Sequence, residues 1–399
     1  MEAMPRPRSF ATARQREEAS ERTSLLQMDF MLLAASLLLV GFSIYTLAVT
    51  TSGDIPGEPY FYAIRQAIYV IVGIAVMLAA ARVDYSRFRE LRVGIYAGML
   101  LLIAAVFVFA TATRGTRAWI ELPFVNFQPS ELGKVMLLLA LSAFVIDRVR
   151  RDGEGRRTLQ ILVMGLIPAG MVLMQPDLGT ASVYVVITFA VLFIAGTDWR
   201  HFLAIFGVAA AAVAGAFLLV PAVTGEPVLE TYQEDRLTSF LDPSDDPADS
   251  SYQINQSLIA VGSGGKIGRG DESTQSQNGF LPERHTDFIF AVVAERFGFV
   301  GAALLLSLYA LLIWRALRIL TMSKNLYGSM IAGGIAAMLL FHLFVNVGMN
   351  LGIAPITGIP LPLMSFGGSS VVAMFLAIGI LQSIYIQARL TSKSRAPAL

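Results

Sequence analysis

Long apolar runs alternate with short polar connections along most of this chain. A helix needs about 20 apolar residues to cross the hydrocarbon layer of a membrane. By that measure the sequence predicts about ten membrane-spanning helices, at residues 30–50, 61–81, 93–112, 129–146, 158–174, 178–196, 202–223, 288–314, 327–351 and 367–388. The first run is too long for a cleaved signal peptide and follows a mixed-charge segment, so we expect it to remain as the first span. The pattern predicts an all-α integral membrane protein.

Basic residues are concentrated in the tails and connections that lie on one side of the membrane when the predicted spans alternate in direction. With both termini in the cytoplasm, 21 of the 30 Lys and Arg residues lie on the cytoplasmic side, as the positive-inside rule requires. We therefore predict a disordered cytoplasmic tail over residues 1–28, a transmembrane domain over 29–390 and a cytoplasmic tail over 391–399. A large extracytoplasmic loop, residues 224–287, joins spans 7 and 8 and holds twelve Asp or Glu against four Lys or Arg.

Composition agrees with the membrane pattern and removes several kinds of chemistry. Of the 399 residues, 55% are hydrophobic and 15% are charged, which excludes an ordinary soluble domain. The chain has no cysteine, so disulfide frameworks, thiolate catalysis and Cys-ligated metals are excluded together. A loop as long as 224–287 is rarely without a function of its own.

Most of the polar residues that could take part in catalysis or binding lie in three outer segments, 114–134, 224–287 and 350–370. In the first, Pro129 suits the first turn of a helix. In the third, several prolines forbid a continuous helix, and non-helical backbone at membrane depth is tolerated where it lines a protein cavity. We expect the glycine-rich patch at 262–270 to form tight turns. The alternative is that its backbone N–H groups bind a phosphate.

Charged residues near the outer ends of two spans are the sharpest physical signal, because each is costly inside a membrane. Glu131 and Lys134 fall one turn apart on one face of the fourth span. Glu295 and Arg296 lie near the start of the eighth. Each pair either lines a site or forms an ion pair that locks helices together, and the sequence leaves both readings open.

Asp287 directly precedes the apolar run of the eighth span, where burial and a cationic neighbour both tune the pKa of a carboxyl group. It suits acid-base chemistry at a membrane surface, and an N-cap is the alternative role. For His285 we favour the role of an interfacial hydrogen-bonding group, with a metal ligand as the alternative. Asp177 is predicted to cap the sixth span, and His342 to tie helices together within the ninth.

The order of motifs resembles that of the SEDS (shape, elongation, division and sporulation) family. The matching stretches are Arg117–Trp119, Phe127–Glu131, Gln175–Gly179, Leu281–Phe288, Gly358–Pro362 and Ser365–Ser370. Within the family, residues 259–265, 274–276 and 282–284 resemble the elongation branch, the rod shape-determining proteins, more than the division branch. The resemblance spans nearly all of residues 30–388.

The resemblance implies a peptidoglycan glycosyltransferase of the bacterial cytoplasmic (inner) membrane that polymerises lipid II onto an undecaprenyl-linked glycan strand. Asp287 matches the family's essential acidic residue and would be the general base of an inverting displacement. Cations would stabilise the leaving pyrophosphate. The predicted substrate-binding residues are Arg117, Trp119, Glu131, Lys134, Arg284 and His285.

Further expectations concern cofactors and partners. A divalent cation, Mg²⁺ or Mn²⁺, is expected to share the charge of the pyrophosphate, with no ligand set readable from spacing and no organic cofactor. The resemblance implies a class B penicillin-binding protein as the crosslinking partner and no nucleic acid. Two other functions stay open: a flippase for lipid II, and a non-catalytic scaffold for a transpeptidase.

Overall fold

The computed structural model describes residues 27–110, 118–121, 126–148, 153–224, 249–277 and 280–395. Within these ranges the long helices are α1 Phe30–Thr50, α2 Phe61–Arg82, α4 Arg92–Phe109, α5 Pro129–Arg148, α6 Glu154–Leu173, α7 Leu178–Ile194, α8 Trp199–Thr224, α9 Asp249–Ser263, α11 Ile289–Met322, α12 Leu326–Asn350 and α13 Gly368–Arg395. The short elements are α3 Arg87–Glu90, β1 Ile120–Glu121, β2 Asn126–Phe127, a 3₁₀ turn Gly270–Glu272 and α10 Thr274–Gln277.

Each apolar run that the sequence marks as a span coincides with one of these helices. In the described part of the chain, eight helices are long and apolar enough to cross a membrane: α1, α2, α4, α5, α6, α11, α12 and the Gly368–Leu390 part of α13. The apolar helix α7 and the Trp199–Ala211 part of α8 are shorter. The prediction of an all-α, multi-pass membrane protein is confirmed, while ten spans and cytoplasmic termini stay predictions.

The most buried spans are α5, α12 and α13, and α4 is the most exposed. Lipid offers no hydrophobic force between helices, so close packing depends on small residues. Gly379 of α13 shows this against α2, because a Cβ there would lie 2.5 Å from the Met77 carbonyl oxygen. Gly334 of α12 packs against Leu138 of α5 in the same way. The central helices therefore approach each other closely, which is what allows their few polar side chains to meet.

The described residues extend a short way into both predicted tails. Residues 1–26 and 396–399 lie outside the described residues, but Gln27 and Met28 are buried against the helices. Asp29 caps α1 by accepting from two backbone N–H groups and pairs with Arg315 of α11. The last helix continues to Arg395, beyond the predicted end at residue 390.

The glycine-rich patch at 262–270 is a packing surface for α11. Helix α11 is kinked at Gly298, whose φ is 64°. A Cβ on Gly264 would lie 1.9 Å from the Ala294 carbonyl oxygen, and one on Gly268 would lie 2.1 Å from that of Arg296. Phe299 N donates a hydrogen bond to the Gly265 carbonyl at 2.9 Å. Glycine is required here because two backbones touch.

The reading of Glu295 and Arg296 as an ion pair with each other is wrong. Glu295 is fully buried and accepts hydrogen bonds from the backbone N–H groups of Gln275 and Ser276, both at 2.9 Å. Arg296 pairs instead with Asp271. Adjacent helix residues point to different sides, so each finds its partner in the loop. The two side chains attach the 249–277 segment to α11.

Candidate active site

Asp287 lies in the turn that leads into α11, and its side chain is half-buried. The helix begins at Ile289 with Phe288 as its N-cap residue, so the N-cap alternative for Asp287 is wrong. Two side chains of α12 hold its backbone, because Nδ2 of Asn346 and Nδ2 of Asn350 donate to the Asp287 carbonyl at 2.9 and 3.1 Å. The backbone position of Asp287 is therefore set by α12.

The connection between α12 and α13, residues 351–367, forms a wall beside Asp287. Ser365 Oγ donates to the Thr286 carbonyl at 2.5 Å, and the backbone N–H of the next residue donates to the His285 carbonyl at 2.8 Å. Gly358 has a φ of +72°, and a Cβ there would lie 3.7 Å from Asp287 Oδ2. A left-handed glycine thus keeps the space next to the carboxylate free of a side chain.

The connection between α1 and α2, residues 51–60, and the start of α2 form a second wall. Arg284 pairs with Asp54 of this connection. The His285 ring lies 4.6 Å from the Tyr62 ring and 6.0 Å from the Phe366 ring, measured between centroids. Two of the predicted substrate-binding residues are therefore held by side chains that the sequence reading did not single out.

Glu131 and Lys134 are buried together at the start of α5. Lys134 Nζ lies 2.8 Å from Glu131 Oε1 and 3.2 Å from His342 Nε2. The ion pair is thus within one helix, and the tie between helices runs from Lys134 to α12. The prediction that His342 joins helices is confirmed.

Asp177 caps α7 as predicted, with Oδ1 accepting from Thr180 N at 2.9 Å. Its Oδ2 accepts from Gln128 Nε2 at 3.0 Å, and Gln128 N donates to Ser369 Oγ at 3.0 Å. Burial raises the pKa of the Asp177 carboxyl above its usual value, and the hydrogen bonds to Thr180 counteract this in part. The start of α5 is thereby joined to the starts of α7 and α13.

Trp119 directly precedes β1 and is half-buried. Strands β1 and β2 pair antiparallel, with Ile120 opposite Phe127. Ser369 Oγ donates to the carbonyl of Asn126 in β2 at 3.3 Å, which attaches the hairpin to α13. Arg117 lies outside the described residues.

The polar face of α12 is the part of the site that the sequence reading missed. His342, Asn346 and Asn350 follow each other at intervals of four and share one helix face. Polar residues inside a span are expensive and usually functional. A repeat of polar residues every four positions within an apolar run is the sequence signal for this face, but the predictions made from sequence include only His342.

All these groups lie at one end of the bundle, the end that the sequence predicts to be outside. A carboxylate on a fixed backbone, an aromatic surface and a buried Glu–Lys–His cluster meet there. Fold and site together define a polytopic membrane protein whose charged and polar side chains gather where its helices meet the membrane surface.

Comparison with known proteins places the chain in a family. A family model described as a cell cycle protein, FtsW, RodA and SpoVE, matches residues 26–390. Peptidoglycan glycosyltransferase MrdB of Escherichia coli strain K12 is 37% identical over 359 residues, covering 90% of this chain and 94% of that protein. Peptidoglycan glycosyltransferase RodA of Treponema pallidum strain Nichols is 33% identical, and the match covers 89% of this chain and 97% of that protein. The chain belongs to the FtsW/RodA/SpoVE family, the SEDS family, of the bacterial inner membrane.

Solved structures agree with this assignment. A chain from a peptidoglycan synthase complex, studied for its coordination of polymerization and crosslinking, is 32% identical with a TM-score of 0.75, covering 90% of this chain and 98% of that one. The crystal structure of the rod shape-determining protein RodA of Thermus thermophilus is 29% identical with a TM-score of 0.65, covering 90% and 96%. The predicted family, fold class and membrane location are confirmed.

Proposed function

We propose that this peptidoglycan glycosyltransferase polymerises lipid II into glycan strands at the outer membrane face during cell elongation, with Asp287 as the general base. The observation that carries the proposal is the placement of Asp287. Its backbone carbonyl accepts from two α12 asparagines, and its half-buried carboxylate faces a glycine. A sugar hydroxyl has room there to come within hydrogen-bond reach of the carboxylate.

The reaction is a single displacement at the donor's anomeric carbon. The Asp287 carboxylate takes the proton of the acceptor sugar 4-hydroxyl as that oxygen forms the new glycosidic bond. The bond from the anomeric carbon to the pyrophosphate oxygen breaks, and its electron pair leaves with undecaprenyl pyrophosphate. Attack opposite the leaving group inverts α to β and requires no enzyme nucleophile.

Negative charge develops on the leaving pyrophosphate, and fixed cations stabilise such charge strongly in a site of low dielectric constant. Arg117, Lys134 and Arg284 are the proposed cations. The ion pair of Arg284 with Asp54 gives it a second task, to anchor the turn that carries Asp287. Trp119, Glu131 and His285 complete the proposed substrate-binding set, with the His285 ring part of an aromatic surface suited to a sugar face.

A divalent cation would supply further positive charge at the pyrophosphate. Within the described residues, however, there is no group of three or more His, Asp or Glu side chains placed to hold a metal ion. These residues do not fit a site built by protein ligands alone. The proposed mechanism therefore routes no step through a metal.

A class B penicillin-binding protein is the proposed partner, which would crosslink the strands made here. The support comes from the structural relative found in a peptidoglycan synthase complex, where polymerization and crosslinking are coordinated. Because this chain covers 98% of that relative, we infer a similar assembly here.

The deciding experiment compares Asp287→Asn with the unchanged chain, using fluorescent lipid II and purified full-length protein, with and without the partner. Asparagine keeps the size of the side chain but does not accept a proton. We expect polymer formation to fall by at least about 100-fold, with normal membrane insertion. Glu58→Gln, at an exposed carboxylate of the 51–60 connection, is the matched control and should retain full activity.

Three outcomes would decide between the proposal and its alternatives. Near-normal polymer from Asp287→Asn would reject the general base. Polymer formation by the unchanged chain, with no lipid II translocation in reconstituted vesicles, would reject the flippase. Loss of polymer in Asp287→Asn with normal partner binding would reject the scaffold.

The structure also sharpens the choice between site and lock for Glu131 and Lys134. Exchanging the two residues would place a glutamate at position 134, with its carboxylate against the acceptor nitrogen of His342. The exchange would therefore fail whether the pair lines the site or only locks the helices. Replacing both residues with neutral side chains of similar size, Glu131→Gln with Lys134→Met, is informative because a buried ion pair often contributes little net stability. Retained polymerisation would favour a lock, while a folded but inactive protein would favour the site.

A further inference from the structure

His342 is buried within α12, and its contacts determine its protonation. Its Nδ1 lies 2.7 Å from the Met338 carbonyl oxygen, and its Nε2 lies 3.2 Å from Lys134 Nζ. A carbonyl oxygen only accepts a hydrogen bond, and an ammonium group only donates one. Nδ1 therefore carries the proton, and the Nε2 lone pair accepts from Lys134. The imidazole is neutral.

Lys134 is held from two sides by partners of different character. Glu131 Oε1 lies 2.8 Å from Nζ and supplies a compensating charge from the same helix. His342 supplies a neutral acceptor from a different helix. An ammonium group has three N–H donors, and these two contacts fix the direction of the third.

The same face of α12 holds the proposed general base. Asn346, one turn after His342, donates to the Asp287 carbonyl at 2.9 Å, and Asn350 donates to it at 3.1 Å. One turn of helix is about 5.4 Å. A single rigid element therefore contacts both the backbone of Asp287 and the side chain of Lys134.

We propose that His342 is a positioning residue for glycosyl transfer, which orients the Lys134 ammonium toward the leaving pyrophosphate while its helix holds Asp287. The inference rests on the proposed role of Lys134. Correct orientation matters most when charge develops on the leaving group, so loss of the acceptor lowers kcat more than it raises KM. A residue that merely ties two helices together would affect stability instead.

The test uses two substitutions of nearly equal size, His342→Gln and His342→Met. Glutamine keeps an oxygen that accepts from Lys134, and methionine has the same length without such an acceptor. In lipid II polymerisation by purified full-length protein we expect the methionine variant to lose about 10- to 100-fold in kcat with less than about 3-fold change in KM. The glutamine variant should recover to within about 5-fold of the unchanged chain.

A double-mutant cycle shows whether His342 acts through Lys134. In the Lys134→Met background, His342→Met should cause no further loss, because the group that it orients is gone. Equal losses in both backgrounds would overturn the inference, as would equal activity of the glutamine and methionine variants. A methionine variant that fails to fold in detergent melting would assign His342 to structure alone.

The cycle also separates this inference from the proposed function. Full activity of Lys134→Met would reject the role of Lys134 and the positioning role with it. Loss of activity in Lys134→Met, with full activity in His342→Met, would reject only the positioning role.

Discussion

Replacement of Gly179 by alanine tests how closely the wall beside Asp287 is supported. Gly179 is the second residue of α7 and packs against the 351–367 connection. A Cβ at this position would lie 2.4 Å from the Thr357 carbonyl oxygen and 2.9 Å from Ile359 Cγ1, whereas Cβ contacts essentially never fall below 3.0 Å. The connection or the start of α7 must therefore shift by about 0.6 Å, which is overpacking against a backbone atom.

That shift passes directly to the site, because Thr357 precedes the glycine that borders Asp287 Oδ2. Overpacking of this kind costs about 1 to 3 kcal/mol of stability. A displacement approaching 1 Å at a reacting group reduces the rate by up to about 100-fold. We expect Gly179→Ala to fold, to melt at a lower temperature and to lose about 10-fold or more in polymerisation rate.

The assay pairs lipid II polymerisation with thermal unfolding in detergent. Gly170→Ala in α6 is the matched control, since a Cβ there meets nothing within 4 Å, and it should leave both measurements nearly unchanged. Unchanged melting and activity in Gly179→Ala would refute the packing argument. A lower melting temperature with full activity would refute the transmission of the shift to Asp287.

Three further predictions concern the loop, a buried acid and the topology. Glu295→Ala leaves the buried N–H of Ser276 and the partly buried N–H of Gln275 without an acceptor, at about 1 to 3 kcal/mol for a buried group, so residues 249–277 should become susceptible to proteolysis. Burial raises the pKa of the Asp177 carboxyl above 3.8 in the folded chain, so the unchanged chain loses stability as pH rises from that value toward the raised pKa. Over this rise Asp177→Asn should become progressively more stable relative to the unchanged chain, as measured by melting. A cysteine in place of Asp246 should react with an impermeant thiol reagent in intact cells, and one in place of Gly153 should not.

Each of these predictions has a control or an outcome that contradicts it. Glu272→Ala, an exposed carboxylate in the same loop segment, should leave proteolysis unchanged. A difference between Asp177→Asn and the unchanged chain that stays constant with pH would contradict the burial argument. Labelling at position 153 with none at 246 would invert the topology.

The sequence by itself determined the membrane architecture and the identity of the family. Apolar runs of spanning length have to become helices, because lipid leaves every backbone polar group to be satisfied within the segment. Local chemistry also set the helix starts at Pro129 and after Asp177, as well as the break after Asn350. These features depend on neighbours in the chain, so they are readable without the fold.

Tertiary structure alone decided which polar side chains meet. Lys134 contacts a histidine 208 residues away, and Arg284 pairs with an aspartate 230 residues away. Arg296 pairs with a loop carboxylate, although Glu295 is its neighbour in sequence. A buried charged or polar group takes the partner that packing brings within hydrogen-bond distance, because leaving it unpaired in a dry interior costs more than bending a loop toward it. Partner choice therefore follows from how the helices pack, which the order of residues in the chain does not reveal.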